Sequence, residues 1–268
     1  MLIGNKNFEI GKRTYVMGIL NVTPDSFSDG GKFNRLDHAL FHAKELIDQG
    51  ADIIDVGGES TRPNHVVVEA DEELERVIPV ITALHKEFDI PISVDTYKAV
   101  VAREAIMAGA HLINDVWGFK KDPDMARVAA TLKVPCCLMH NREKAEYRDY
   151  LQDVIADLKE SVEIALNSGV KPENIMLDPG IGFAKNYEQN LELMNHLELL
   201  KKLGYPVLLG TSRKSMIGNT LNLPPQERVE GTLATTVIGI MKGCDFIRVH
   251  DVQQNKRACL MTDAIVRN

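Results

Sequence analysis

Eight short apolar segments, each ending in polar residues, predict an α/β fold, a (β/α)8 or TIM barrel. The strands of such a barrel are parallel, so the residues that follow them gather at one end and build the functional site. A length of 268 residues suits one barrel of about 250 residues. We therefore expect a single domain over residues 1–268. The polar segment ends are Asn21, Glu59–Arg62, Asp95, Asn114, His140, Asp178, Thr211–Ser215 and Arg248–His250.

The first segment is preceded by FEIGKRT, residues 8–14. We interpret it as a hairpin that turns at Gly11–Lys12, runs into the first strand and caps the bottom of the barrel. Between the strands, apolar residues three and four apart predict helices with one buried face. These residues are Leu36, Ala39, Leu40, Ala43, Leu46 and Ile47 in the first helix, and Leu74, Val77, Ile78, Ile81, Leu84 and Phe88 in the second. The sixth has Leu193, Met194, Leu197 and Leu200, and ends near Gly204 before Pro206.

Composition excludes several classes of partner. The net charge of -7 argues against nucleic acid, whose phosphates require a basic surface. No apolar run approaches the roughly 18 residues of a membrane span, and the N-terminus lacks a signal-peptide pattern. The four cysteines lack metal-ligand spacing, and three of them lie in apolar or helical stretches where we expect burial, so we expect reduced thiols. These observations indicate a cytoplasmic enzyme.

Three strand ends carry groups suited to a flat heterocycle. Asp95, Asn114 and Asp178 each follow an apolar strand. Any one of them alone is more typical of a turn or a helix cap. Three at equivalent positions around one barrel mouth favour a binding role, because two carboxylates and an amide match a ring edge bearing an amino group and a ring N–H.

The last two strand ends are cationic. Thr211–Ser215 follows Gly210, and Arg248–His250 ends the eighth strand. Loops after the seventh and eighth strands often hold phosphate in these barrels, and a hydroxyl-rich turn that opens a helix offers N–H groups to an anion. Arg248 alternates with apolar neighbours and should face away from the helices, whereas we interpret Arg213 as a supporting surface charge.

Two polar loops complete the predicted mouth. Residues 21–31 follow the first strand and contain one aromatic residue and a glycine pair, and residues 59–63 follow the second. A polar loop of this length in a compact barrel predicts a lid or a binding loop. We expect the first to gain order only when ligands are bound.

The motifs NVTPDSFSDGG, GGESTRP, SVDTYK, NDVWG, LDPGIGFAK, LLGTSRKS and RVHDV extend from residue 21 to residue 252. In this order they resemble the dihydropteroate synthase family. The resemblance implies condensation of 6-hydroxymethyl-7,8-dihydropterin diphosphate with 4-aminobenzoate, with Mg²⁺ assisting the release of diphosphate. It also implies a sulfonamide target and a homodimer.

The resemblance assigns roles residue by residue. It implies pterin binding by Asp95, Asn114, Met139, Asp178, Lys214 and Arg248, of which Asp95, Lys214 and Arg248 are also the catalytic residues. It implies diphosphate binding by Asn21, Thr61, Arg62, Arg248 and His250, with Asn21 also the metal ligand. It implies aminobenzoate binding by Phe27, Pro63, Phe183, Lys214 and Ser215.

The chain departs from the family pattern at two places. Asn64 replaces the usual glycine after STRP, and asparagine tolerates positive φ better than most residues. The run from His140 to Lys144 differs from the family's, which leaves open the conformation of residues 140–148 and whether His140 is structural or functional.

Charge development suggests a dissociative route, in which diphosphate leaves an electron-rich pterin methylene and the amine then attacks a cation. Asp95 is expected to stabilise that cation. Two alternatives are a pterin-binding methyltransferase domain, which needs no diphosphate site, and a pterin-binding paralogue without turnover.

Overall fold

The computed structural model describes residues 1–23, 32–59 and 68–267 of the chain, without the side chains of residues 32–35. Its described residues form an eight-stranded parallel sheet with helices outside it, preceded by a short antiparallel hairpin. The hairpin strands are β1 (Leu2–Ile3) and β2 (Lys6–Asn7). The barrel strands are β3 (Tyr15–Asn21), β4 (Ile53–Gly57), β5 (Ile92–Asp95), β6 (Leu112–Asp115), β7 (Cys136–Met139), β8 (Ile175–Asp178), β9 (Leu208–Leu209) and β10 (Phe246–Val249).

The barrel order is β8-β7-β6-β5-β4-β3-β10-β9. A parallel bridge between Leu177 and Val207 joins β8 to the residue before β9 and brings the two ends of the sheet together. Each strand follows its predecessor in the chain around the ring, which is the (β/α)8 topology. The predicted fold class is confirmed.

The helices alternate with the barrel strands as predicted. Even the short interval after β5 holds a helix, α3. The helices are α1 (Lys32–Asp48), α2 (Ala70–Glu87), α3 (Ala99–Met107), α4 (Met125–Leu132), α5 (Tyr150–Asn167), α6 (Tyr187–Asn195), α7 (Glu198–Lys201), α8 (Ser215–Leu221), α9 (Val229–Met241) and α10 (Val252–Val266).

The predicted helix faces are buried against the sheet in α1 and α2, where Ala39, Ala43, Leu46, Val77 and Leu84 are inaccessible or nearly so. The predicted sixth helix is instead two helices. It breaks after α6 at His196, whose φ of -120° and ψ of 24° leave the helical region. The break still lets Leu197 and Leu200 reach the core, where both are buried.

The hairpin covers the bottom of the barrel. Ile3 and Phe8 pack in one apolar cluster with inward-facing residues from the beginnings of the strands, including Tyr15, Met17 and Phe246. The chain turns at Gly11–Lys12 as predicted, with Lys12 N donating to the Glu9 carbonyl at 3.1 Å, but this is not the turn of the hairpin, because β1 pairs with β2 through Ile3 and Lys6. The hairpin turn lies at Gly4–Asn5, and Gly4 has the positive φ of 61° that such a tight reversal favours.

Above this apolar layer the barrel interior becomes polar, because alternate residues of each strand point inward. In β4 the inward positions are Ile53, Asp55 and Gly57, and in β10 they are Phe246 and Arg248. The outward positions pack under the helices in the main core. None of the helices in the described part of the chain is long and apolar enough to span a membrane. All four cysteines are buried, and their thiols are free, as predicted.

Candidate active site

At the carboxyl ends of four neighbouring strands, three polar side chains and one glycine lie in one row. Asn21 pairs with Gly57, Gly57 with Asp95, and Asp95 with Asn114 in the parallel ladder. These four residues form one row across the barrel mouth, since parallel pairing fixes their register. The end of β8 adds Asp178, paired with Met139.

A cavity of about 670 Å³ opens at this end of the barrel. It brings together the predicted site residues for which the structure gives a position. These are Asn21, Asp95, Asn114, Met139, Asp178, Phe183, Lys214, Ser215, Arg248 and His250. The other predicted site residues, Phe27, Thr61, Arg62 and Pro63, lie outside the described residues.

Arg248 is the charged centre of the cavity floor. Its Nε donates to Oδ2 of Asp55 at 2.6 Å, and its second nitrogen donates to Oδ2 of Asp95 at 2.6 Å. Asn114 Nδ2 donates to the same Asp55 oxygen at 3.2 Å. The contact leaves the amide oxygen of Asn114 as an acceptor for the cavity.

Burial raises the pKa of Asp95 to about 7, although the Arg248 charge opposes the rise. Burial lowers the pKa of Arg248, but the negative charges of Asp55 and Asp95 outweigh it and raise that pKa overall. Within the described residues, the second oxygen of Asp95 is buried without a hydrogen-bond partner. An unpaired buried acceptor is costly, so this oxygen is suited to a ligand donor.

Asp178 and Lys214 lie on the opposite side of the cavity. Gly180 N donates to Asp178 Oδ1 at 2.7 Å, which fixes the carboxylate. Burial raises the pKa of Asp178 and lowers that of Lys214 to about 8, with each partially offsetting the other's shift. Lys214 Nζ donates to the carbonyl of Ile181 and lies 4.8 Å from the centre of the Phe183 ring.

The β9 and β10 loops support one another. Ser212 Oγ accepts from the backbone N–H of His250 at 3.1 Å and lies 3.0 Å from its Nδ1. The Ser212 hydroxyl thus holds both the backbone and the imidazole of His250, whose side chain lines the cavity. Arg213 pairs with Asp251 through two nitrogens, which confirms it as a supporting charge.

Comparison with known proteins identifies the family. The family model described as pterin binding enzyme matches residues 17–250. The dihydropteroate synthase of Clostridium beijerinckii is 68% identical over the full length of both chains. That of Bacillus subtilis is 62% identical, over 95% of this chain and 90% of the relative.

The chain belongs to the dihydropteroate synthase family.

Solved dihydropteroate synthases share its whole fold. The Clostridium difficile enzyme, crystallised in the presence of pteroic acid, superposes with a TM-score of 0.96 at 58% identity, over 98% of this chain and 100% of that chain. A Yersinia pestis enzyme in a sulfonamide complex superposes with a TM-score of 0.91 at 44% identity, over 99% of this chain and 98% of that chain. A Xanthomonas albilineans enzyme with 4-aminobenzoic acid superposes with a TM-score of 0.91 at 42% identity, over 95% of this chain and 94% of that chain.

A dihydropteroate synthase acts in folate biosynthesis, joining a dihydropterin diphosphate to 4-aminobenzoate with release of diphosphate. The names of its full-length relatives set aside a methyltransferase domain.

Asp55 and Lys185 are among the residues in and around the dihydropteroate synthase cavity that the sequence did not single out. Asp55 lies inside the segment DIIDV, where a charge at an inward position of an apolar strand was the available signal. Lys185 was part of a recognised motif, but no local pattern indicated that its amine turns back toward β7. It lies 2.8 Å from Nδ1 of His140.

His140 supports the site from behind. It is 2% exposed, and its Nε2 lies 3.1 Å from Oδ2 of Asp157 on α5. Burial lowers its pKa to about 4, so the ring is neutral at physiological pH. These contacts favour the structural alternative for His140. The following loop is held by Arg142, which also binds Asp157.

Proposed function

We propose that the dihydropterin ring binds on the cavity floor between Asp95, Asn114, Asp178 and Lys214, with Met139 as a wall and Arg248 against the ring. The unpaired buried oxygen of Asp95 carries this proposal, since a ring N–H would satisfy it. Asp178 supplies a second acceptor, and the Asn114 oxygen a third. The structure of the Clostridium difficile relative, determined in the presence of pteroic acid, supports it.

The 4-aminobenzoate site is proposed beside Phe183 and Lys214, with Ser215 near the carboxylate. Phe183 offers an aromatic face, Lys214 an ammonium group, and both line the cavity. The sequence adds Phe27 and Pro63 to this site. Support comes from the relatives that hold 4-aminobenzoic acid and a sulfonamide, and we propose that this chain too is a sulfonamide target.

The diphosphate is proposed to bind between Arg248 on the cavity floor and His250 at the cavity rim, together with Thr61 and Arg62. Asn21 contributes an amide oxygen at this rim. Mg²⁺ commonly takes few protein ligands and completes its shell with substrate phosphates and water. A single amide oxygen beside a diphosphate therefore fits Mg²⁺, which would neutralise charge on the leaving group when bound at Asn21.

The chemistry follows from the charges around the methylene carbon. The C–O bond to diphosphate breaks, and its electron pair leaves with diphosphate toward Arg248 and His250. Ionised Asp95 stabilises the resulting cation, because a fixed negative charge in a buried site favours developing positive charge. The aniline nitrogen then forms the C–N bond and afterwards loses its proton, so no strong base is needed.

We also propose a homodimer through α9 and α10. These two helices pack side by side, and together they expose a set of large apolar side chains. These are Ile238, Met241, Leu260, Met261, Ile265 and Val266. An apolar patch of this kind on a soluble domain is typical of an interface. The four buried free thiols support a reducing compartment, the cytoplasm.

Positional isotope exchange tests the route. Pterin diphosphate carrying ¹⁸O in the bridging C–O position is incubated with enzyme, Mg²⁺ and benzoate, which fills the aminobenzoate site without an attacking amine. Reversible departure moves the label into non-bridging oxygens of the adjacent phosphoryl group, and Asp95→Asn should suppress this exchange. Direct displacement by the amine would give no exchange in the wild-type enzyme.

A further inference from the structure

The loop between β8 and α6 directs its carbonyl oxygens onto side-chain donors. Lys185 Nζ donates to the carbonyls of Gly180 and Phe183, both at 2.9 Å. Lys214 takes the carbonyl of Ile181, and the Tyr147 hydroxyl donates to that of Ala184 at 2.7 Å. Side chains from the surrounding loops therefore set the path of this backbone.

The third donor of Lys185 is used by His140, whose Nδ1 lies 2.8 Å away. Nε2 faces the carboxylate of Asp157, whose pKa is lowered, against the effect of burial, by its hydrogen bonds to His140 and Arg142, so Nε2 carries the proton of the neutral ring and donates. Nδ1 is then the unprotonated nitrogen and accepts from Lys185. His140 thus connects Lys185 to Asp157 on helix α5.

The loop needs this support because its backbone is strained. Gly180, Gly182 and Ala184 have φ values of 68°, 85° and 45°, and the left-handed region is unfavourable for alanine. A Cβ at Gly180 would lie only 2.0 Å from the carbonyl oxygen of His140. The loop is therefore pressed against β7, and the hydrogen bonds of Lys185 offset the cost.

We infer that Lys185 is a positioning residue for 4-aminobenzoate, acting through Phe183. Asp178 depends on Lys185 less, although Gly180 links the two, because the Asp178 carbonyl accepts from His140 N at 3.0 Å and this bond holds its backbone at the end of β8. Phe183 lies beyond the strand and its carbonyl accepts from Lys185. The inference rests on the proposed placement of 4-aminobenzoate against Phe183.

The first test is Lys185→Met, which keeps the length of the side chain and removes all three donors. At saturating pterin diphosphate, the KM for 4-aminobenzoate should rise about tenfold, equivalent to about 1.4 kcal/mol. The KM for pterin diphosphate should stay within about twofold. A folded variant with both KM values unchanged, or with both raised equally, would overturn the inference.

A double-mutant cycle with Phe183→Ala separates this inference from the proposed function. If Lys185 acts through Phe183, the double variant has the same aminobenzoate KM as Phe183→Ala alone. If the two substitutions instead raise this KM independently, so that their factors multiply in the double variant, the inference is overturned. The proposed placement of 4-aminobenzoate against Phe183 would then still stand. An unchanged KM in Phe183→Ala would remove the placement, and the inference with it.

If Lys185→Met does not fold, substitutions of His140 test the inference instead. His140→Asn keeps an acceptor near the position of Nδ1, whereas His140→Leu removes it. The KM for 4-aminobenzoate should rise in His140→Leu and much less in His140→Asn. Equal, wild-type-like values in the two variants would contradict the inference.

Discussion

Arg248 on β10 and Asp55 on β4 form a part-buried ion pair inside the barrel, with 2.6 Å between Nε and Oδ2, although 193 residues separate them in the chain. Asp55 is fully buried and binds Asn114 through the same oxygen. One carboxylate thus orients both a cationic and an amide side chain of the cavity floor. Neither Arg248 nor Asn114 holds its orientation by local structure alone.

Asp55→Asn should therefore destabilise the protein. An amide oxygen in the place of Oδ2 can still accept from Arg248 and Asn114. The new NH2 group then lies at the position of Oδ1, which is buried without a hydrogen-bond partner among the described residues, and the negative charge facing Arg248 is lost. We expect the free energy of unfolding to fall by about 1–3 kcal/mol, together with pterin affinity. Urea unfolding measures the first. The matched control is Asp48→Asn, whose exposed pair with Lys44 should contribute less than about 1 kcal/mol.

Asp178→Asn tests the pterin edge. The asparagine oxygen can keep the contact with Gly180 N, so the loop should survive. Its NH2 group would then meet a donor of the pterin ring. Calorimetry should show a loss of about 1–3 kcal/mol in pterin binding, with an unchanged melting temperature. Unchanged pterin affinity would contradict the assignment of Asp178.

The pH dependence of kcat/KM for pterin diphosphate should be bell-shaped. The active forms are ionised Asp95, whose pKa is raised to about 7, and protonated Lys214, whose pKa is lowered to about 8. Activity should rise through pH 7 as Asp95 loses its proton and fall above pH 8 as Lys214 loses its charge.

Lys214→Arg identifies the falling limb, because arginine stays charged throughout this range. The variant should be slower but should not lose activity above pH 8. Ionisation of the substrate is common to both enzymes and cancels in the comparison. A falling limb that is identical in the two enzymes would show that Lys214 is not its origin.

Removal of Mg²⁺ should abolish turnover and weaken the binding of pterin diphosphate, while a pterin without phosphates should bind almost equally well. The reason is that the ion neutralises diphosphate oxygens rather than the ring. Asn21→Ala should raise the Mg²⁺ concentration that gives half-maximal activity. Full activity in excess chelator would exclude the role proposed for Asn21.

Substitutions that introduce a charge on the exposed face of α9 and α10 should convert the proposed dimer into monomers. Met261 and Ile265 are 63% and 67% exposed, so Met261→Glu and Ile265→Glu should fold normally while opposing an apolar interface. Sedimentation velocity should show a dimer for the wild type and a monomer for these variants. Met107→Glu on α3, at a position 71% exposed, is the control and should remain dimeric.

Much of the site could be predicted from the chain because barrel strands are parallel. Asn21, Asp95, Asn114 and Asp178 end or nearly end apolar segments, and parallel strands bring such ends to one mouth whatever the details of packing. The apolar spacing of α1 and α2 likewise predicts which faces are buried. Local sequence carries this information, so the fold class and most cavity residues follow from it.

The tertiary structure decided which residues hold the others in place. The hairpin turns at Gly4–Asn5, between the paired Ile3 and Lys6, and Ile3 and Phe8 both pack on the barrel floor. Asp55 binds Arg248, and Lys185 binds His140, across distances that no local pattern encodes. Sequence periodicity determines where a side chain points along its own strand or helix. Which charge it meets there depends on elements remote in the chain, since burial forces each polar group to find its partner wherever packing places one.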